Sequence, residues 1–181
     1  MLHLKNITAG NPKTAEQYQL TKQYDVTWLF SEDGKNWYEE QKNFASDTIK
    51  VAYNERGRVV WVGKDVTGIE PTNVSIIELP DITTNRRITA PGYWFYRNDE
   101  FVFDYKLKAE DERDALLKQV SIMTSDWEKD LLLGLISDED REKLKAYRIY
   151  AKSLQAMDFS IITDKTSYNV IEWPVSPEAS S

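Results

Sequence analysis

Residues 48–62 read TIKVAYNERGRVVWV, and this stretch sets the fold class. Ile49, Val51 and Tyr53 alternate with Lys50, Ala52 and Asn54, the period of two expected of a strand whose side chains point to opposite faces. Glu55, Arg56 and Gly57 then supply a turn, and Val59 to Val62 returns as the partner strand, so the stretch predicts a β-hairpin.

The same grammar extends in both directions. Upstream, Val26, Trp28 and Phe30 alternate with Thr27 and Leu29, Ser31 to Lys35 supplies an Asp-Gly turn, and Trp37 and Tyr38 resume an aromatic stretch, which predicts a further hairpin. Downstream, Val74, Ile76, Ile77 and Leu79 form a strand that Pro80 must end, because proline cannot donate to a continuing ladder. Tyr93 to Tyr96 and Phe101 to Tyr105 flank the Arg97, Asn98, Asp99 turn as a last aromatic hairpin. Leu2, Leu4 and Ile7 read as an edge strand, and Thr14 as the cap of a short helix through about Lys22.

After Tyr105 the composition turns to Lys, Glu, Asp, Ala and Leu, with no proline before Pro174, so a boundary is expected near Lys106. Residues 1–105 are read as a β-rich domain and residues 106–181 as a helical one. Leu116, Val120, Met123, Trp127 and Leu131 recur at helical spacing along one face. Gly134 ends that helix, and Ser137 caps a second one, with Asp140 reaching back to the cap. Leu144, Tyr147, Ala151 and Leu154 give the second helix a matching seam, predicting an antiparallel helical hairpin. Trp173 and Pro174 open a tail whose two prolines favour extended chain, docked back on the protein or engaging a partner. The fold class is therefore α+β: short antiparallel hairpins, then a helical hairpin, then an extended Trp-Pro tail.

Composition narrows the function. Of the 181 residues, 41% are hydrophobic and 29% charged, which places the chain among proteins able to bury a core. The 23 Lys and Arg against 30 Asp and Glu give a net charge of -7, so no attraction to nucleic acid is expected. The absence of cysteine removes thiolate nucleophiles and sulfur-bound zinc. Met1 to Gly10 lacks the apolar run of a signal peptide, and Leu131 to Ile136 falls short of the ~20 residues that span a bilayer, so no membrane insertion is expected.

No catalytic, metal or cofactor site is expected. Glu32, Asp33, Glu39 and Glu40 flank a turn without the spacing of an acid pair. His3 is the sole histidine and lies near the terminus, a poor base for a triad or a metal cluster. Asp138, Glu139 and Asp140 suit a helix first turn, where the macrodipole favours acids. Gly10 lacks the companions of a phosphate loop. The conspicuous set is aromatic: Trp28, Trp37, Tyr38, Trp61, Trp94 and Tyr96 are more rings than a small β domain readily hides, so a face with exposed rings is expected to bind a partner. Leu132, Ile149 and Tyr150 lie outside the helical seam and suggest a second surface or self-association.

Several segments in order carry a resemblance. SDEDREKLKAYRIYAKSL at 137–154 and IEWPVSP at 171–177 resemble the C-terminal part of the tail-fibre assembly proteins of tailed phages. The opening, HLKNITAGNPKTAEQYQLTKQYDVTWLFSEDGKNWYEEQKNF at 3–44, with DTIKVAY at 47–53 and ELPDITTNRR at 78–87, resembles the N-terminal region of the enterobacterial branch. Phe159 to Val170 departs from that pattern as an inserted segment. The resemblance implies a non-enzymatic chaperone, working in the host bacterial cytoplasm, that acts on the C-terminal, distal end of a homotrimeric tail fibre and in some members stays at the fibre tip. A competing reading is a receptor-binding tip component whose rings stack on lipopolysaccharide sugars.

Overall fold

The computed structural model describes residues 1–180. The chain divides into two compact units, Met1–Phe103 and Asp104–Ser181, the first β-rich and the second helical, an α+β architecture.

The first unit is built on a five-stranded antiparallel sheet. Its strands are β1 (His3–Gly10), β2 (Trp28–Phe30), β3 (Thr48–Asn54), β4 (Val59–Gly63) and β5 (Val74–Pro80), in the order β2-β1-β5-β3-β4. The β3–β4 hairpin forms as its sequence pattern predicts, and β5 ends at Pro80. β1, expected at an edge, is instead flanked on both sides. Its first half pairs with β5 and its second half with β2, with a register shift between Leu4 and Ile7 where Asn6 takes a φ of 44°.

Both faces of this sheet are covered, so β3 is buried along its length even though its sequence alternates. One face carries Leu4, Ile7, Leu29, Ala52 and Ile76 under Trp37 and Val66; the other carries Ile49 and Val51 with Val59 and Ile88, under Trp94 and Phe101. The hairpin expected across residues 26–38 is cut down to the Ser31–Lys35 turn and a single Phe30–Asn36 bridge, with no second strand after it. Asn36 caps a helical turn, α2 (Trp37–Glu40), accepting a hydrogen bond from the Tyr38 N–H at 2.9 Å, and the turn drives Trp37 into the core. A ten-residue helix, α1 (Ala15–Tyr24), starts at Thr14 as expected, with the threonine hydroxyl accepting from the Gln17 N–H at 3.1 Å.

A second hairpin, β6 (Trp94–Arg97) and β7 (Glu100–Phe103), turns on Asn98 and Asp99, both at positive φ as a two-residue turn of this hand demands. It abuts the β3–β4 turn, where the Tyr96 N–H donates to the Gly57 carbonyl at 2.7 Å. Gly57 sits at φ 79°, and a Cβ there would collide with the Tyr96 carbonyl oxygen. Left-handed strain and backbone collision together make Gly57→Ala destabilising by about 2 kcal/mol. Urea unfolding monitored on the first unit's tryptophans checks this, and an unchanged midpoint would show that the turn can relax.

The second unit contains α3 (Tyr105–Leu133), α4 (Asp138–Gln155) and α5 (Lys165–Asn169). Gly134 closes α3 in the left-handed region at φ 71°, and Ser137 caps α4 with Asp140 accepting from its hydroxyl at 2.8 Å. The core comprises Val120, Tyr147, Tyr150, Ala151 and Leu154, flanked by Leu116, Leu117 and Trp127. Leu144 is buried as expected, but Met123 and Leu131, placed in the seam by periodicity, are exposed. Thr124 takes the interior position instead, because a 29-residue helix drifts off a fixed seven-residue repeat.

Phe159 and Ile162 of the inserted segment pack with Ala109, and the Tyr168 hydroxyl donates to Glu112 Oε2 at 2.6 Å. Trp173 docks back on the unit, 5.7 Å from the Phe159 ring. The tail does not stay extended to its end: Pro177–Ser180 forms a 3-10 turn, for which a proline at the first position is preset.

Candidate functional site

β4 is the last strand of the sheet. β3 occupies one of its sides, and on the other the β6–β7 hairpin meets the start of β4 through the Arg58–Phe95 bridge and the Tyr96–Gly57 hydrogen bond. Val60 is the extra residue at a register shift between Ala52 and Tyr53 and stands exposed, a bulge of the kind that keeps an edge from pairing indiscriminately.

Two large rings flank this strand from opposite faces. Trp61 folds over Gly63 and packs on the cluster that contains Leu4, Ile7 and Trp37. Trp94 packs with Ile88 and Val62 and meets Phe103 edge-on at 5.5 Å. Both rings are half-buried, so each is held from behind and presents an apolar edge. Little side-chain freedom therefore remains for either ring to lose.

Beside Val62 lies a cavity of about 350 Å³ lined by Ile49, Val62, Lys64, Asp81, Arg86 and Ile88. Arg86 Nε donates to Asp81 Oδ1 at 2.7 Å, and Lys64 Nζ lies 2.7 Å from Asp81 Oδ2. Those two partners, Arg86 first, hold the Asp81 carboxyl down at about 2. The rim is therefore an ion triad around an apolar floor.

Tyr96 belongs to a separate cluster. It stacks on Tyr53 at 4.6 Å, while His3 lies edge-on to Tyr96 at 5.6 Å and its Nε2 is 2.7 Å from the Tyr53 hydroxyl. Burial, and then the Asp99 carboxylate that accepts its proton at 3.1 Å, push Tyr96 up to about 12. Burial and the neighbouring Lys5 lower the His3 pKa. These rings are committed to one another, and the single histidine is a packed ring neighbour. Among the described residues no group of three or more metal-ligating side chains occurs, and no helix is long and apolar enough to cross a membrane.

The structure does not bring the six aromatic residues onto one face. Trp28 is buried, its Nε1 donating to Thr21 Oγ1 at 2.8 Å and to the Gln17 carbonyl at 3.2 Å, so it fastens α1 to β2. Trp37 is 2% exposed and belongs to the core. Neither can form part of an exposed face, which corrects the sequence reading. Tyr38 is 46% exposed, with its hydroxyl donating to the Thr27 carbonyl at 2.9 Å. In the second unit Leu132 and Ile149 are exposed, whereas Tyr150, expected outside the seam, is buried in it.

The family described as Caudovirales tail fibre assembly protein, lambda gpK, matches residues 39–178. The chain belongs to this family. Full-length relatives agree: tail fiber assembly protein U' of Escherichia phage Mu is 44% identical and that of Escherichia phage P1 is 45% identical, each over 98% of this chain and all of the relative. A probable tail fiber assembly protein of Escherichia phage P2 is 40% identical over the same shares. This tail fibre assembly protein thus takes part in building a phage tail fibre. Its Lys64, Asp81 and Arg86 escaped the sequence reading; the available signal was an Asp and an Arg five residues apart after the strand-ending Pro80.

Proposed function

We propose that this protein is a non-enzymatic chaperone that binds the distal region of a tail fibre in the host cytoplasm and promotes its folding and trimerisation. The supporting observation is the β4 edge, where Trp61 and Trp94 stand half-exposed on either side of a cavity-bearing strand. Preferential binding of a fibre assembly intermediate over the unfolded fibre chain would lower the barrier to trimerisation by differential affinity alone, with no nucleotide.

Co-expression tests the reading. The cognate fibre should become a soluble, heat-resistant trimer only when this chain is present, and equal yields without it would refute the proposal. Within the β4 surface, the double variant Trp61→Ala and Trp94→Ala should lose at least about tenfold in fibre capture, as truncation of central aromatic anchors does. Tyr38→Ala, which removes a ring outside the β4 edge, should lose less than about twofold. Full capture by the double variant, with its folded circular-dichroism spectrum retained, would move the contact elsewhere.

One observation favours a second reading, a glycan-recognising component of the virion tip. A polar groove of about 340 Å³ runs beside Tyr53, lined by Asn6, Glu32, Asn54, Asn73 and Ser75, and amides and carboxylates beside a ring suit sugar hydroxyls. Binding of purified lipopolysaccharide by the isolated protein, lost on Asn73→Ala, would support that role.

A further inference from the structure

The second half of β4 is an open sheet edge. β3 pairs with β4 as far as Gly63, and the β6–β7 hairpin meets β4 only at its start, through Gly57 and Arg58. Among the described residues, nothing pairs with the other side of residues 61–63. Successive backbone groups of a strand point alternately to its two sides, so those turned away from β3 are left to water or to the backbone of a second extended chain. The Val60 bulge confines the open stretch to these few residues, and the half-buried Trp61 and Trp94 rings bound it on the two faces of the sheet.

The surroundings of the edge select the chain that joins it. A strand laid along residues 61–63 sends every second side chain to the face of Ile49 and Val62, where the cavity of about 350 Å³ opens against Ile88. The rim of that cavity is uneven in charge. Lys64 and Arg86 keep 61% and 63% of their side chains exposed, whereas the Asp81 carboxylate that they share keeps 15%. Two cations on one anion leave the triad net positive, on a chain whose overall charge is -7. Arg86 directs Nε to the Asp81 carboxylate and Nη2 to the Asp81 carbonyl at 3.3 Å, so among the described residues its Nη1 has no acceptor. A carboxylate on the incoming strand completes that donor set, and a lysine or arginine there would be repelled.

We infer that the fibre segment held at β4 is an added strand: its backbone pairs with residues 61–63, and one of its side chains is a carboxylate seated on Lys64 and Arg86. The inference rests on the fibre-docking reading of β4 and goes further by naming the form and the charge of the bound segment.

The test uses the full chain in complex with its cognate fibre, obtained by co-expression, and hydrogen exchange resolved to single amides. In the complex the outward amide among residues 61–63 should exchange at least about tenfold more slowly than in the free chain, as a backbone hydrogen bond requires. Docking through side chains alone leaves that amide open to water, and an unchanged rate would overturn the inference. Lys64→Gln combined with Arg86→Gln should lower fibre capture about tenfold at low salt and little at high salt, whereas Lys64→Arg should keep it. Undiminished low-salt capture by the folded glutamine pair would overturn the carboxylate. Protection of the same amide that grows with the concentration of the chain alone would give the edge to a second copy and overturn strand addition by the fibre. These outcomes separate from those of docking itself. Full capture by the folded double variant Trp61→Ala and Trp94→Ala removes β4 as the site, whereas capture lost in that variant, with the amide unprotected in the wild-type complex, leaves docking at β4 standing and strikes only the added strand.

Discussion

Replacement of Trp37 by alanine is expected to cost the first unit about 3–5 kcal/mol, the range for truncating a fully buried large aromatic. Trp37 is among the largest fully buried side chains, meets Phe44 at 6.2 Å, and closes one face of the sheet over Leu4, Ile7 and Ile76. Its removal leaves a void that α2, a single turn fixed by the Asn36 cap, cannot collapse to fill. For a unit of about 100 residues that loss lowers the melting temperature by roughly 15–25 °C. The neighbouring Tyr38→Ala serves as the internal control, because its ring is exposed and should cost less than about 1 kcal/mol. Calorimetry on the two variants decides the point: comparable, small shifts would mean that Trp37 is not the interior residue and that the sheet face is covered some other way. Fibre capture should fall with the fold in Trp37→Ala, so loss of binding there would say nothing about the contact surface.

The contrast between these two neighbours shows where sequence pattern stops being informative. The β3–β4 and β6–β7 hairpins and the α3–α4 hairpin were legible because each is closed by its own turn or cap: Gly57 at positive φ, Asn98 and Asp99, and Gly134 with Ser137. Chemistry of that kind is local and is written in consecutive residues. The position of β1 between β2 and β5 is set by pairing across about seventy residues, His3 to Ile77, for which alternation carries no signal. Burial of Trp28 and Trp37 likewise depends on α1 and α2 folding over the sheet, so a ring's place in a strand-like pattern did not reveal whether it faced solvent. The aromatic composition did point to rings left available, and Trp61, Trp94 and Tyr38 fit that expectation in position, though not as one face. Of the ion triad beside β4, only the Asp81–Arg86 spacing was there to be read, because Lys64 comes from a different segment.

Lys50 and Glu78 owe their burial to the two-sided covering of the same sheet. In a sheet covered on one side only, Lys50 would reach solvent. Here both faces are occupied, so Lys50 is 1% exposed and its partner across the β3–β5 ladder, Glu78, is 5% exposed. The ammonium donates to the Ala45 and Thr48 carbonyls, and the carboxylate accepts from the Leu2 N–H at 3.1 Å, the Ala45 N–H at 2.7 Å and the Thr48 hydroxyl at 2.8 Å. One carboxylate thus ties the N-terminus and the segment before β3 to β5. Glu78→Ala strips all three donors of their acceptor and removes the carboxylate across the ladder from buried Lys50, an expected loss of about 3–5 kcal/mol. Glu78→Gln keeps an acceptor but not the charge and should cost roughly half as much. The pH dependence distinguishes a charge effect from a packing effect. Burial raises the Glu78 carboxyl, but its three hydrogen bonds and Lys50 outweigh that and leave it below its ordinary value of 4.5. A carboxyl depressed by folding stabilises fully above its unfolded pKa, and that contribution disappears as pH falls through the folded one. The gap between wild type and Glu78→Gln should therefore be widest near neutral pH and narrow below about pH 4. Asp81, held at about 2, adds acid sensitivity of the same sign in both proteins and so cancels from the difference. Chemical denaturation at pH 7 and pH 3 measures that gap, and a gap of equal size at both would show that Glu78 acts through shape rather than charge.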